Sequence, residues 1–562
     1  MQKRWIVAPR TQEDLIDQLL DNRGIVSREA FLAFDYEKLH DPMGLLQMDT
    51  VVARLIKAIE TQEPIAIFGD YDHDGTPAAV LLTEGIERCG GKVTTVYIPT
   101  RAEGYSISMT VIDQFASSGI KLMVLVDCGI TNKTEIDYAD SQGIETIVID
   151  HHVVQVDKFP TKAIVINPKQ AGDTYPFKEL CGCGLAFKTI QALARNTGKI
   201  SEVDLKWFLD LVAISTVCDM VPLVDENRIL VHYGLIVLQK TRRLGLKKLF
   251  DVAAIDPKTI STYTAGFLIG PRLNAPGRME RASIAYDLLV AKDSEEATQL
   301  AVKLNELNIE RQNELTRVLK DAQAQVEARK LHEKKVILVT GDTWPDGIVG
   351  LVAGRLMDKY GRPTIVLSIR EDGLAKGSAR SIDGFHLVES LKECEQYLIK
   401  YGGHAKAAGL SLAREQLELL YDKLIEIAEA RLSEDDLKPK IRIDWVLGPN
   451  EFTLETAHLL VGLEPHGLGN PKPIFMVESM TITDSRLIGH ERTHLKMQLA
   501  FPDDRRIDAV AFNASSRISE SSVGGVIDVV GFMDINSWQD RESVQLKIVD
   551  WRLAEKGDDA NK

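Results

Sequence analysis

The sequence predicts a multidomain α/β protein: a parallel doubly wound domain, a long connector helix, a smaller α/β domain and a C-terminal β-barrel. Three observations carry that reading. Between residues 64 and 166 short apolar runs alternate with helix-sized segments, the pattern of a parallel sheet covered on both faces. Residues 285–335 show a long amphipathic helical spacing (Leu300, Leu304, Leu307, then Leu315, Val318, Leu319, Ala322) with charges on the other face. From about residue 438 the chain changes to short alternating strands, which read as a small barrel of the OB or another class. The boundaries that follow are 1–45 for an N-terminal extension, 46–284 for the first domain and 285–335 for the connector, then 336–432 and 438–556 for the last two.

A chain of 562 residues has room for several cores, and 44% apolar with 27% charged residues is ordinary globular composition. No apolar run reaches the length of a membrane span, so no membrane partner is expected. Six scattered cysteines fit a reducing cytosol, which makes the expected location cytoplasmic. Cys181 and Cys183 lack the spacing of a zinc site and read as small packing residues. The net charge of −15 argues against a chain that coats nucleic acid, while leaving room for a local basic groove or for bound cations.

In chain order, residues 1–45 read as helical, with Ile16, Leu19 and Leu20 at helical spacing and a turn at Asp41-Pro42. A helix at 47–61 feeds a strand at 65–68, and further strands are expected at 93–98, 122–126, 146–149 and 163–166. Helices at 77–89, 107–118 and 132–142 separate them. The second α/β segment starts at Val336 and holds three glycine-containing stretches, Gly347-Ile-Val-Gly350, Gly377-Ser-Ala-Arg-Ser381 and Gly402-Gly403-His404. Glycines ahead of helices let backbone N–H groups approach a phosphate, though each is as readily a turn or a C-cap. The barrel strands are expected at 440–446, 474–484, 494–500, 506–512, 526–534 and 543–549.

In open parallel sheets, ligands bind at the carboxyl ends of the strands. There the sequence sets Asp70, Asp72 and Asp74 after the first strand, Asp127 after the third and Asp150-His151-His152 after the fourth. Asp219 follows the apolar segment 211–217. Alone, D-x-D-x-D is most simply a solvated acidic turn; it is no EF-hand, because the twelfth position from Asp70 is Leu81. One strand-end Asp usually caps the next helix. Three such strand ends in one sheet call for a cation, since crowded carboxylates otherwise push one another toward protonation. Oxygen donors with one or two imidazoles suit Mn²⁺ or Mg²⁺, and the number of ligands suits two ions sharing a carboxylate, with Asp127 on its central strand the natural bridge. His151 is expected as a ligand and His152 as phosphate contact or proton donor, the reverse being open. That assignment makes Asp74, Asp127 and His152 the catalytic candidates.

The segments GDYDHDG, VDCG, IDHH and CDMVPL resemble the four motifs of the DHH phosphoesterase family. Within it the chain is similar to the RecJ-type exonucleases. IPTRAEGY, CGCGLAFK, DENRILV, GPRLNAPGRM, GSARSIDGFH, GGHAKAAG and GLGNPKPIF read like segments of that family in order. The resemblance implies a DHH domain, a DHH-associated domain and an OB-like barrel that closes a ring around one strand. It implies metal-dependent 5′→3′ degradation of single-stranded DNA to mononucleotides in repair and recombination. The alternative is a phosphoesterase of the same fold acting on short oligonucleotides or nucleotide phosphates. Metal ligands are implied at Asp72, Asp74, Asp127, His151 and Asp219, with Asp70 as a further ligand or, like Asp150, an outer partner. Arg101, Arg278 and Arg380 fall in segments used around a 5′-phosphate, with Ser378 and His404 as further substrate contacts. The implied partners are single-stranded DNA with a 5′ end, a single-strand-binding protein and a helicase. One departure stands out: the family often has a histidine after the tryptophan of its W-H-x-G segment, where this chain has Pro345. Phe475, Phe512 and Trp538 are candidates to stack bases on the barrel, unless they fill its core.

Overall fold

A computed structural model describes residues 3–554 apart from 102, 105, 280–282 and 539–540, and leaves out the side chains of 278, 279 and 538. The chain forms two compact units, one from His40–Val221 and Tyr233–Pro439, the other from Arg4–Leu39, Pro222–His232 and the chain from Lys440 onward.

The first unit opens with a five-stranded parallel sheet: β1 (Pro64–Gly69), β2 (Lys92–Tyr97), β3 (Leu122–Val126), β4 (Glu145–Ile149) and β5 (Ile164–Ile166). Its order is β2-β1-β3-β4-β5 and every pairing is parallel. The order reverses between β1 and β3, which is where a doubly wound sheet opens a crevice at its carboxyl edge. All five residues of β3 are buried, as a central strand with both faces covered requires. Helices α1 (Met48–Glu60), α2 (Gly75–Arg88), α3 (Met109–Ser117) and α4 (Lys133–Ser141) connect the strands, followed by α5 (Gly182–Thr197) and α6 (Leu209–Cys218).

The connector is a single helix, α7 (Ser294–Ala328), whose start is capped by Asp293 accepting from the Glu295 and Glu296 N–H groups. Its far half packs Val318, Ala322 and Val326 into a core with Ile337, Val339 and Val352, so that stretch of its apolar stripe is covered within the chain. The second sheet holds β6 (Ile337–Gly341), β7 (Thr364–Ile369), β8 (Leu374–Arg380), β9 (Lys400–Gly403) and β10 (Ala407–Ala413) in the order β9-β10-β8-β7-β6. Only the β6–β7 pair is parallel.

In the second unit five strands close a barrel: β11 (Phe475–Ile488), β12 (His494–Ala500), β13 (Arg506–Ala511), β14 (Val526–Trp538) and β15 (Arg541–Leu553). Closure comes from the β11–β14 pairing, which leaves no free sheet edge in the ring. The N-terminal residues belong to this unit. Arg4–Val7 pairs in parallel with Lys440–Ile443, and Ile16, Leu19, Leu20 and Phe31 share a core with Val477, Leu495 and Met497. The expected helical character of 1–45 therefore needs correction at Arg4–Val7, a strand whose alternating Arg-Trp-Ile-Val run lies along the Lys440 segment. Phe475 is 1% exposed and fills the barrel core, Phe512 is 56% exposed, and the Trp538 side chain lies outside the described residues.

Candidate metal centre

Each acidic candidate owes its place to a strand or helix end. Asp70 follows β1, its N–H donating to the Val126 carbonyl at 3.3 Å, so it extends the sheet by one residue. Asp72 turns the chain into α2, its carboxylate accepting from the N–H groups of Asp74 (2.8 Å) and Gly75 (3.1 Å). Gly75 is required there, since a Cβ would lie 2.5–2.6 Å from atoms of Asp70. Asp74 is fully buried and held by the start of α5: the Gly182 and Cys183 N–H groups donate to its two oxygens at 2.6 and 2.8 Å. A helix N-terminus stabilises a carboxylate in this way.

Asp127 ends β3 with φ 59°, a left-handed conformation uncommon outside glycine, while its N–H still pairs with the Ile149 carbonyl. Asp150 ends β4. One of its oxygens accepts from the Ile130 N–H at 3.0 Å, and the other meets the N–H and Nδ1 of His152 at 3.0 and 2.7 Å. Asp219 terminates a helix, α6, rather than a strand.

These side chains converge. His151 Nε2 lies 3.2 Å from Asp127 Oδ1, 3.6 Å from Asp219 Oδ2 and 3.9 Å from Asp74 Oδ2. Three sets of ligand atoms each fall within 4.8 Å of one another: Asp70, Asp72, Asp127; Asp74, His151, Asp219; and Asp127, His151, His152. Asp127 belongs to two of the three sets, as a bridging carboxylate would.

The electrostatics separate the groups. Burial, then the charges of Asp74, Asp72, Asp70 and Asp219, push the Asp127 carboxyl well above the ordinary carboxylate range. Burial and Asp72 do the same to Asp70, and burial with Asp74 and Asp72 lifts Asp219 to about 8. Burial alone would raise Asp72 too, but His73 and the two N–H donors hold it low. His151 is pulled down by burial. His152 goes the other way. Burial opposes its charge, yet Asp150 lifts it to about 9, and Asp150 itself falls to about 2.

The residues fit a cation. Asp127 Oδ1 and His151 Nε2 are buried and have no hydrogen-bond partner, although they face each other at 3.2 Å. A lone pair on each, among converging carboxylates, makes a donor set that fits a metal ion. Oxygen donors dominate, which suits Mn²⁺ or Mg²⁺ over zinc.

Comparison with known proteins agrees. Residues 64–216 match the DHH family N-terminal domain, 333–430 the DHHA1 domain and 443–550 the RecJ OB domain. A single-stranded-DNA-specific exonuclease RecJ of Bacillus subtilis is 39% identical over 96% of this chain and 68% of its own length. That of Haemophilus influenzae is 33% identical over 95% of each. The chain belongs to the RecJ family. RecJ of Thermus thermophilus, solved with Mn²⁺, superposes with a TM-score of 0.82 at 26% identity over 98% of this chain and 80% of that one. Its Mg²⁺ form shares the fold, with a TM-score of 0.74 at 24% identity over 98% and 79%.

The remaining RecJ-like candidates lie around two further edges. Arg101 is half-buried in the turn after β2 and has no hydrogen-bond or ion-pair partner among the described residues. Arg278 sits in the helix Ala275–Met279, its side chain outside the described residues. In the second sheet Ser378 and Arg380 occupy β8, where Arg380 Nη1 donates to Ser378 Oγ and the Ala379 carbonyl, both at 2.8 Å. Arg380 pairs in register with Ala407, and exposed His404 closes the hairpin just before it. Pro345 precedes helix Asp346–Tyr360, with Trp344 buried against Gly341, and Asp346 pairs with Arg370 at 2.7 Å.

Two contributors escaped the sequence reading. Gly182 sits where a Cβ would come 2.7–2.9 Å from Asp127 side-chain atoms, and Asn167, fully buried after β5, donates to the His152 carbonyl at 2.9 Å. Asn167 had a signal, a polar residue at the end of a fifth apolar strand.

Proposed function

We propose that this RecJ-family chain is a metal-dependent exonuclease that degrades single-stranded DNA from its 5′ end to mononucleotides, in the cytoplasm, during repair and recombination. The observation that carries the reading is the orphaned, buried pair Asp127 Oδ1 and His151 Nε2 inside a ring of strand-end carboxylates. Asp70, Asp72, Asp74, Asp127, His151 and Asp219 would hold two Mn²⁺ or Mg²⁺ ions. When bound, these ions neutralise the scissile phosphate and activate water for in-line attack at phosphorus.

The chain's own residues do the rest. His152, fixed by Asp150 and raised to about 9, is an imidazolium at neutral pH. With its side chain 52% exposed, it can bond a non-bridging phosphate oxygen and give its proton to the departing 3′-oxygen of the terminal nucleotide. Arg101, Arg278 and Arg380, with Ser378 and His404, bind the 5′-terminal phosphate, for which guanidinium forks are suited. The OB barrel holds the following single strand, and a helicase and a single-strand-binding protein would supply it.

The test uses long single-stranded DNA labelled at one end, with Mn²⁺ or with EDTA. A 5′ label released at once as mononucleotide, and a 3′ label kept on long fragments until late, is expected with Mn²⁺ alone. Equal loss from both ends, or activity confined to oligomers of a few nucleotides, would overturn the reading.

A further inference from the structure

Tyr263 and Phe267 are large aromatic side chains left 63% and 65% exposed. Their rings stack on each other, with centroids 5.0 Å apart and planes 23° off parallel. Phe267 belongs to a π-helical turn, Thr264–Ile269, and Tyr263 is the residue just before it. Such turns are rare and collect at functional sites. The inner side of this one is pressed against the last turn of α6. A Cβ on Gly270 would lie 2.2 Å from Cys218 Sγ, and Cys218 Sγ reaches the Ala265 carbonyl at 3.4 Å. Asp219 is the next residue, so the exposed rings stand one helix away from a carboxylate of the metal centre.

A second observation lies beside the first. Arg272, in the helix Gly270–Leu273, and Arg311, in α7, meet neutral acceptors only. Arg272 donates to Asn305 Oδ1 at 3.0 Å and to the Leu268 carbonyl at 2.7 Å, and Arg311 donates to Asn308 Oδ1 at 2.9 Å. Arg311 Nε is buried without an acceptor. Among the described residues neither guanidinium has a carboxylate partner. Burial pulls both pKa values down, and for Arg311 the charge of Arg272 adds to the effect. Two partly desolvated like charges without a counter-ion are costly, and an anion between them would relieve that cost. The Leu268 carbonyl that holds Arg272 is one residue from Phe267, which brings the rings and the Arg272 guanidinium onto one stretch of chain, while Asn305 ties Arg272 to the α7 helix that carries Arg311.

We propose that Tyr263, Phe267, Arg272 and Arg311 form a subsite for single-stranded nucleic acid beside the metal centre, the rings stacking a base and the guanidiniums taking a backbone phosphate. The inference rests on the reading given under Proposed function and deepens it. Charge selects the occupant. In a chain of net charge −15, two arginines without a carboxylate partner among the described residues, in the same helical region as exposed rings, match alternating phosphates and bases. Two isolated rings do not make the broad apolar patch that a protein partner would cover.

The test measures affinity of the full chain for a phosphorothioate oligothymidylate of 20 nucleotides, which resists cleavage, in Mn²⁺ by fluorescence anisotropy. Changing both exposed rings (Tyr263→Ala with Phe267→Ala) is expected to raise Kd by about 10–100-fold without moving the melting temperature. Replacing both with Trp keeps the affinity. Arg311→Gln weakens binding and lowers the slope of log K against log salt by about 0.7, as loss of one phosphate contact to a single strand requires. Wild-type affinity in the double Ala variant would overturn the subsite while leaving the exonuclease reading intact. A wild-type chain that fails to bind the oligomer would overturn that reading itself. Unchanged DNA binding in the double Ala variant together with loss of self-association would assign the rings to a second copy of the chain.

Discussion

The two sheets of the first unit each have five strands, but they handle charge in opposite ways. The first is wholly parallel, so β1, β3 and β4 end on the same edge and bring Asp70, Asp127 and Asp150 together there. The second runs mostly antiparallel, strand ends alternate between edges, and no such gathering arises: its polar candidates, Ser378 and Arg380, lie along β8 and are satisfied by the strand itself. The parallel edge concentrates like charge that protons or a cation must offset. The mixed sheet presents hydroxyl and guanidinium groups that need no ion. Topology, as much as residue type, decides which sheet gathers ligands for a candidate metal centre.

Asp127→Asn should break that contrast most. Activity is expected to fall by about 10³-fold or more, since the carboxylate proposed to be shared by the ions is lost. The metal-free protein should gain stability, because one of the carboxylates crowding Asp74, Asp72, Asp70 and Asp219 is gone. A rise in Tm of about 2–4 °C in EDTA is the order expected per kcal/mol for a domain of this size. Steady-state kinetics and thermal melting check the two halves separately, and a drop in metal-free Tm would refute the repulsion argument.

The same crowding sets a pH dependence. Without ions, Asp219 titrates near 8 in the folded chain against an ordinary 3.8. Between those values the folded state keeps a proton that the unfolded state has released, so stability falls as pH rises. His152 acts in the same direction. Its raised pKa, about 9 against 6.5, gives stability that is complete below 6.5 and lost as pH climbs through 9. Asp150, lowered to about 2, contributes stability lost only in strong acid and is silent here. Bound ions replace the protons, so the Tm gain from Mn²⁺ should grow from pH 6 to pH 9. Melting curves in Mn²⁺ and in EDTA across that range test it; a gain that shrinks toward pH 9 would contradict the assignment.

Much of this centre was legible because period and position carry it. Apolar runs such as 122–126, alternating with helix-sized segments, read as buried parallel strands, and acidic residues at their ends fall on one edge whichever order the strands take; the run 211–217 shows the limit, since it is a helix. Five of the six expected barrel strands were legible from alternation, although β11, β14 and β15 run several residues beyond their expected ends; the sixth, 440–446, is outside the ring and splits into Lys440–Ile443, paired with Arg4–Val7, and Trp445–Val446. What the sequence hid was anything depending on three-dimensional approach. Gly182 looks like any helix-start glycine until Asp127 is seen against it, and Arg4–Val7 gives no hint that its partner strand lies more than 400 residues away. Phe475 opens β11 and Phe512 lies just past the end of β13; they are the same residue type, and only the closed barrel decides which one is core.

In the second sheet the effects should be smaller and fall on binding. Arg380→Ala is expected to raise KM for 5′-phosphorylated single strands by about 10-fold, the order for losing one charge-assisted hydrogen bond, with kcat little changed. Substrates ending in a 5′-hydroxyl should show less difference between wild type and variant. Equal effects on both ends would remove Arg380 from the terminal phosphate.

The smallest effect sharpens the contrast between the sheets through two glycines. A Cβ on Gly182 would meet the Cβ and carboxylate of Asp127 at 2.7–2.9 Å, on the short side chain of the carboxylate proposed to be shared. Gly182→Ala should therefore weaken Mn²⁺ binding by about 10-fold, equivalent to 1.4 kcal/mol. A Cβ on Gly350 would sit 3.3 Å from Arg380 Nη2 and 3.3 Å from Ser378 Oγ, the far ends of side chains that can give by a few tenths of an ångström. Gly350 lies inside the helix Asp346–Tyr360, where Ala in place of Gly contributes about 0.5–1 kcal/mol to stability. Gly350→Ala should thus raise Tm slightly while raising KM for 5′-phosphorylated strands by about 2–3-fold, the signature of a nudged guanidinium whose three- to five-tenths of a unit in log K (about 0.4–0.7 kcal/mol) stays below a lost contact. Titration of Mn²⁺ against each variant, beside KM and Tm, separates the two glycines. If Gly350→Ala changed Mn²⁺ affinity as much as Gly182→Ala did, the second sheet would be coupled to the metal centre in a way its strand ends do not explain.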